Sequence, residues 1–110
     1  MSKSDILANE IARDFRKGLL KFFILKMLNR EDMHGYAMMG RIEEVCGWKP
    51  SSGSMYPALL NLTTQGLIKI KVTDMRKIYL ITPKGKQLVA ALDQNLDFGL
   101  KEIGRMFNEI

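Results

Sequence analysis

Residues Trp48-Lys49-Pro50-Ser51-Ser52-Gly53-Ser54-Met55-Tyr56-Pro57-Ala58-Leu59-Leu60-Asn61-Leu62, followed by Gly66-Leu67, decide how the chain folds. A proline, a serine cluster and a glycine open the stretch, and Met55, Leu59 and Leu62 then recur at helical spacing. The pattern predicts a capped helix. Ser51 or Ser52 can accept a bond from an otherwise orphaned N–H of the first turn, and Gly66 is placed to stop the helix. On a helical wheel Met55, Leu59 and Leu62 share one face, and Gly53, Ser54, Pro57, Leu60, Asn61 and Thr64 take the other. That second face carries small polar groups instead of the salt-bridged Glu and Lys of an ordinary surface helix, which suits a close-fitting partner.

Upstream, Met33-His34-Gly35-Tyr36 follows a charged turn and begins a helical segment through Tyr36, Met39, Ile42, Glu43 and Cys46 that Gly47 closes. Two helices across a glycine turn form a helix-turn-helix. The lone His34 reads as a structural cap or a core donor, because no nucleophile or carboxylate has a recognisable place beside it. Further upstream, Arg16 to Asn29 is apolar over more than half its circumference, as in a helix buried on several sides. Ser4 to Phe15 shows Ile6, Leu7, Ile11 and Phe15 at helical spacing with Ser4 as the cap. Arg13, Arg16, Lys17 and Lys21 make this third of the chain basic.

Downstream the period changes to two. Leu67, Ile68, Ile70 and Val72 alternate with Lys69 and Lys71, Thr73 to Arg76 forms a short turn, and Lys77 to Ile81 returns, which predicts a β-hairpin. Lys69, Lys71, Arg76 and Lys77 then form an outward basic ribbon, suited to phosphate contact, although lysines also guard edge strands against aggregation. Thr82-Pro83 starts a last helix. In it Leu92, Leu96, Leu100, Ile103, Phe107 and Ile110 form an apolar stripe too long for so small a core to cover, and a second subunit is its expected partner. The order is α-α-α-α-β-β-α: mainly α with a small β-hairpin, in the α+β class.

Composition narrows the function. With 110 residues, 46% apolar and 26% charged, the chain reads as one globular unit, and a net charge of +5 favours an acidic partner. One cysteine, Cys46, and one histidine permit neither an internal disulfide nor a tetrahedral zinc site. No signal peptide or spanning stretch is visible, so a soluble, cytoplasmic protein without membrane attachment is expected. Ser51, Ser52 and Ser54 lack a partner His, and no phosphate-cradling glycine loop appears; no catalytic residue, cofactor or metal is expected.

The segments Leu25-Lys26-Met27-Leu28, Met33-His34-Gly35-Tyr36, Trp48 to Leu59, Gln65-Gly66-Leu67-Ile68 and Tyr79-Leu80-Ile81-Thr82-Pro83-Lys84-Gly85 together resemble the PadR family of winged-helix transcriptional regulators. The resemblance covers residues 16–92. It implies a winged helix-turn-helix with an N-terminal helical extension over residues 1–82 and a C-terminal dimerisation helix over 83–110. It also implies a homodimer, usually a repressor, whose helix after the Trp-x-Pro-Ser segment enters the major groove and whose hairpin is the wing. Some members are released from DNA by small aromatic or cationic lipophilic compounds. Two departures stand out: basic residues common at positions 60 and 61 and acidic ones at 63 and 64 are missing, so Ser51 to Gly66 carries no charge, and the wing is short with Asp74 at its tip.

On this reading double-stranded DNA is the partner. Phosphate contacts fall to Lys49, Lys69, Lys71, Arg76 and Lys77, with Arg16 and Lys17 beside them and the Tyr56 hydroxyl adding a positional bond, unless Tyr56 only fills the core edge. Base reading falls to Ser52, Ser54 and Asn61, with Ser51 counted among the DNA-binding residues. Half-sites would lie about 34 Å apart in a pseudo-palindrome. Eight methionines with Trp48, Phe98 and Phe107 allow an adaptable apolar pocket for a small hydrophobic effector at the dimer interface. The competing class is a winged-helix adaptor whose uncharged face around Leu60 docks on a protein and never meets DNA.

Overall fold

The computed structural model describes residues 1–110 apart from the side chain of Arg13, so the basic role read for Arg13 lies outside the described residues. Five helices and three strands follow one another: α1 (Lys3–Gly18), α2 (Leu20–Arg30), β1 (Met33–His34), α3 (Gly35–Cys46), α4 (Ser52–Thr64), β2 (Ile68–Thr73), β3 (Arg76–Ile81) and α5 (Pro83–Glu109). The strands form one antiparallel sheet in the order β1-β3-β2.

Three expectations are corrected at element boundaries. The cap of α1 is Ser2, not Ser4: its hydroxyl accepts from the Asp5 N–H at 3.1 Å and the Asp5 carboxylate reaches back to the Ser2 N–H at 3.3 Å. A cap at Ser4 would have Leu7 in the reciprocating position and lose half of that capping box. The core helix begins at Leu20 instead of Arg16, because α1 continues to Gly18 and Leu19 (φ −92°, ψ 2°) breaks the two apart. Met33 and His34 belong to a short strand paired with Tyr79 and Ile78, not to the start of α3.

The core is built by α2, α3, α4 and the inner face of the sheet. Ile24, Leu28, Met38, Met55, Leu59, Leu62, Ile68 and Val89 are closed to solvent, and apart from the phenol of Tyr79 no polar side chain is buried among the described residues. Met38, Met39 and Met55 therefore fill core space as ordinary hydrophobes, and Met27 packs at its margin. Gly66, at φ +74°, ends α4 as its sequence predicts: Leu67 N–H bonds to Leu62 carbonyl and Gly66 N–H to Thr63 carbonyl, pairing carbonyls the helix leaves open. Thr82 caps α5 by accepting from Gly85 N–H at 3.1 Å, and its hydroxyl lies 2.7 Å from the Gly66 carbonyl oxygen. The stop of α4 and the start of α5 are thus fastened to each other.

Asp74 (φ 50°) and Met75 (φ 62°) make the hairpin turn, both left-handed and neither glycine. Two consecutive positive φ values define a type I′ turn, which matches strand twist but strains a residue with a Cβ. Replacing Asp74-Met75 with Asn-Gly is expected to stabilise the fold by about 1 kcal/mol. Thermal denaturation checks this; an unchanged or lowered midpoint would mean that the turn has another form.

Candidate nucleic-acid interface

The exposed face of α4 is neutral and built from small groups. Met55, Ala58, Leu59 and Leu62 are buried, leaving Ser52, Gly53, Tyr56, Pro57, Leu60, Asn61 and Thr64 toward solvent. Ser51 is the cap: its hydroxyl accepts from Ser54 N–H at 3.2 Å and donates to the Ser54 hydroxyl at 3.3 Å. Ser51 and Ser54 therefore use their hydroxyls to build the helix start, and exposed Ser52 beside them makes no side-chain hydrogen bond among the described residues. Asn61 Oδ1 accepts from Gln65 Nε2 at 2.6 Å, which presents the Asn61 amide N–H groups outward on a steadied side chain.

Cations flank this neutral face on two sides. On one side a recess of about 550 Å³ runs between the α1–α2 junction and α4, lined by Lys17 and Lys21 opposite Ser54 and Asn61. On the other side stands the hairpin. The antiparallel register pairs Lys69 with Leu80, Lys71 with Ile78, Val72 with Lys77 and Thr73 with Arg76. Paired residues share a face and neighbours alternate. Lys69, Lys71 and Arg76 therefore lie on one face, and Lys77 lies on the other with Val72 and Tyr79. The four exposed cations are not one ribbon; they surround the hairpin. Among the described residues none of them is in an ion pair, since the salt bridges are Lys26–Asp93, Arg41–Glu44 and those of Arg105 with Glu102 and Glu109. Lys49 stacks over the Tyr36 ring, 4.8 Å from its centroid.

Residues 24–91 match the profile of the transcriptional regulator PadR-like family, more than half of the chain. The chain belongs to the PadR-like family of transcriptional regulators. Its members are not enzymes. The transcriptional regulator YqjI of Escherichia coli is 37% identical over 78 residues, which are 68% of this chain and 38% of YqjI. The crystal structure of Bacillus subtilis PadR in complex with operator DNA superposes with a TM-score of 0.61 at 30% identity, over 66% of this chain and 45% of that one. A PadR family regulator from Eggerthella lenta shares the fold over 94% of this chain and 95% of its own, with a TM-score of 0.77 at 22% identity. The chain thus spans less than half the length of YqjI and of the B. subtilis protein.

In this PadR-like chain the structure adds residues that sequence reading left out. Lys21, across the α1–α2 break at Leu19, lines the same recess as Lys17 beside α4. Tyr36 gains its place from the Lys49 ring contact, which sequence spacing does not reveal. Tyr56 is exposed, and its ring lies against Gly35, where a Cβ would come within 3.2 Å of the ring. Arg16 is half-buried with its Nε unpartnered. His34 holds the N-cap position of α3 without a side-chain cap bond, and its Nδ1 instead lies 2.9 Å from the Lys77 carbonyl oxygen, tying the wing to the start of α3. Trp48 packs against the core. No His/Cys/Asp/Glu cluster able to hold a metal occurs among the described residues, and no helix is long and apolar enough to cross a membrane.

Proposed function

We propose that this chain is a sequence-specific DNA-binding regulator that works as a homodimeric repressor on a pseudo-palindromic operator. The observation that carries the proposal is a neutral, close-approach helix face with unpaired cations on both sides. A major groove admits a helix of this kind, and the phosphates of its two walls stand on either side of it. Lys17 and Lys21 would take one wall, and Lys49, Lys69, Lys71, Arg76 and Lys77 the other, the α4 N-terminus adding its N–H groups. Asn61 would read adenine, and exposed Leu60 would meet a thymine methyl. Repression follows the B. subtilis relative, which is a negative transcriptional regulator. A protein-docking role for Leu60 is the outcome if no duplex binds.

Dimerisation rests on α5. Only Gly85 and Val89 of its 27 residues are buried, while Leu96, Leu100, Ile103, Phe107 and Ile110 are exposed and Leu92 is half-covered. We place the 83–110 helix as the dimer element on residues 1–82, with the stripe of Ile6, Leu7, Ile11 and Phe15 on α1, also exposed, beside it. A small hydrophobic or aromatic effector would act at that seam, near Phe98 and Phe107.

Fluorescence anisotropy with a mixed-sequence duplex across a salt series tests the proposal. Binding should weaken steeply with salt, and replacing Lys69, Lys71 and Lys77 with alanine should lower the log–log slope by about 0.9 per lost phosphate contact. An unchanged slope removes the wing from the interface.

A further inference from the structure

All three tyrosines of the chain, Tyr36, Tyr56 and Tyr79, line a single cleft of about 600 Å³ between the wing and the start of α3. His34, Arg76 and Lys77 complete its polar lining, and no carboxylate faces into it. Tyr79 forms the floor. It is only 4% exposed, and its hydroxyl has no hydrogen-bond partner among the described residues. Its ring is packed into the core while its hydroxyl stays reachable from the cleft, since Arg16 Nε is the one buried side-chain polar atom without a partner among the described residues. Burial, and secondarily the neighbouring Tyr56, raise its pKa above the ordinary phenol value, so it keeps the proton it would donate.

We propose that this cleft is a binding seat for a small phosphate ester carrying a flat ring. Lys77, which shares a hairpin face with Tyr79, supplies charge to the phosphate, Arg76 lines the same cleft from the other strand face beside the turn, and the Tyr79 and Tyr56 hydroxyls supply donors, a set with no acceptor anion of its own. The cleft is several times larger than a bare phosphate, and its aromatic walls offer a face to the rest of the ligand. Because Lys77 and Arg76 also belong to the wing, an ester seated here competes with the DNA backbone. The seat stands without the DNA reading; only the competition rests on it.

Phenyl phosphate titrated into the DNA-free protein and followed by phosphorus NMR tests this. Saturable binding is expected, tighter than that of inorganic phosphate, with Tyr79→Phe weakening it about tenfold and Arg76→Gln with Lys77→Gln removing saturation. The Tyr79→Phe protein should melt at or above the wild-type temperature, since the lost hydroxyl has no partner in the chain, so its loss of binding is not a loss of fold. No saturable binding, or equal binding by Tyr79→Phe, overturns the proposal. If phenyl phosphate does not bind but Tyr79→Phe weakens duplex binding, the seat serves a backbone phosphate alone and the small-ester assignment is wrong. If phenyl phosphate binds and no duplex does, the seat stands and the DNA reading falls.

Discussion

Replacing Leu100 and Ile103 with aspartate is expected to convert the protein to a monomer near 12.6 kDa in sedimentation velocity and to weaken duplex binding about a hundredfold or more. Both side chains are about half exposed in the single chain, at 48% and 47%, so a carboxylate there meets water and the fold of one chain is preserved. In a dimer the same carboxylates would be buried against an apolar stripe with no partner, which costs several kcal/mol. Affinity falls with the dimer because two linked recognition helices bind a pair of half-sites with a gain of about 10² or more over one. Unchanged circular dichroism would show that the helices survive. A variant that still sediments as a dimer would move the interface off α5, with the α1 stripe of Ile6, Leu7, Ile11 and Phe15 the next surface to test.

Gly85→Ala is expected to be the most damaging single-methyl change in the molecule. A Cβ there would fall on the Leu67 carbonyl oxygen and within 2.6 Å of the Ile81 side chain. The Leu67 carbonyl cannot turn away, because it accepts from Thr82 N–H at 3.1 Å and lies 3.0 Å from the Thr82 hydroxyl. Relief would require lifting α5 off the β2 entry and opening the joint between α4 and α5. A loss of about 3 kcal/mol and a fall of about 10 °C or more in melting temperature follow. Gly40→Ala is the control. It lies inside α3 with nothing within 4 Å of its Cβ position, and it should stabilise by up to about 1 kcal/mol. Equal effects of the two changes would refute the close packing at Gly85.

Much of this architecture is legible in local chemistry. Thr82-Pro83 and Gly66 mark where helices start and stop because capping depends on residues adjacent in sequence, and the hairpin is visible in its two-residue period. What is not legible is set by long-range pairing. Met33 and His34 become a strand only because Tyr79 and Ile78 offer them a ladder. Ser4 and Ser2 are both plausible caps, and Asp5 decides between them through geometry that a hydrophobic pattern does not encode. For the interface, composition identifies the wing cations but not their split across two faces, since the turn at Asp74-Met75 sets the register that puts Lys77 opposite Val72. Tyr36 and Tyr79 enter only when α3 and β3 are placed in space.

Hydroxyl-radical footprinting of a duplex enriched for binding from a random pool tests the central proposal, a pair of recognition helices held in register by two chains. The predicted result is two protected clusters on one face of the duplex, about 10 base pairs apart and related by pseudo-twofold symmetry. A single protected patch, or uniform protection without an enriched sequence, would contradict it.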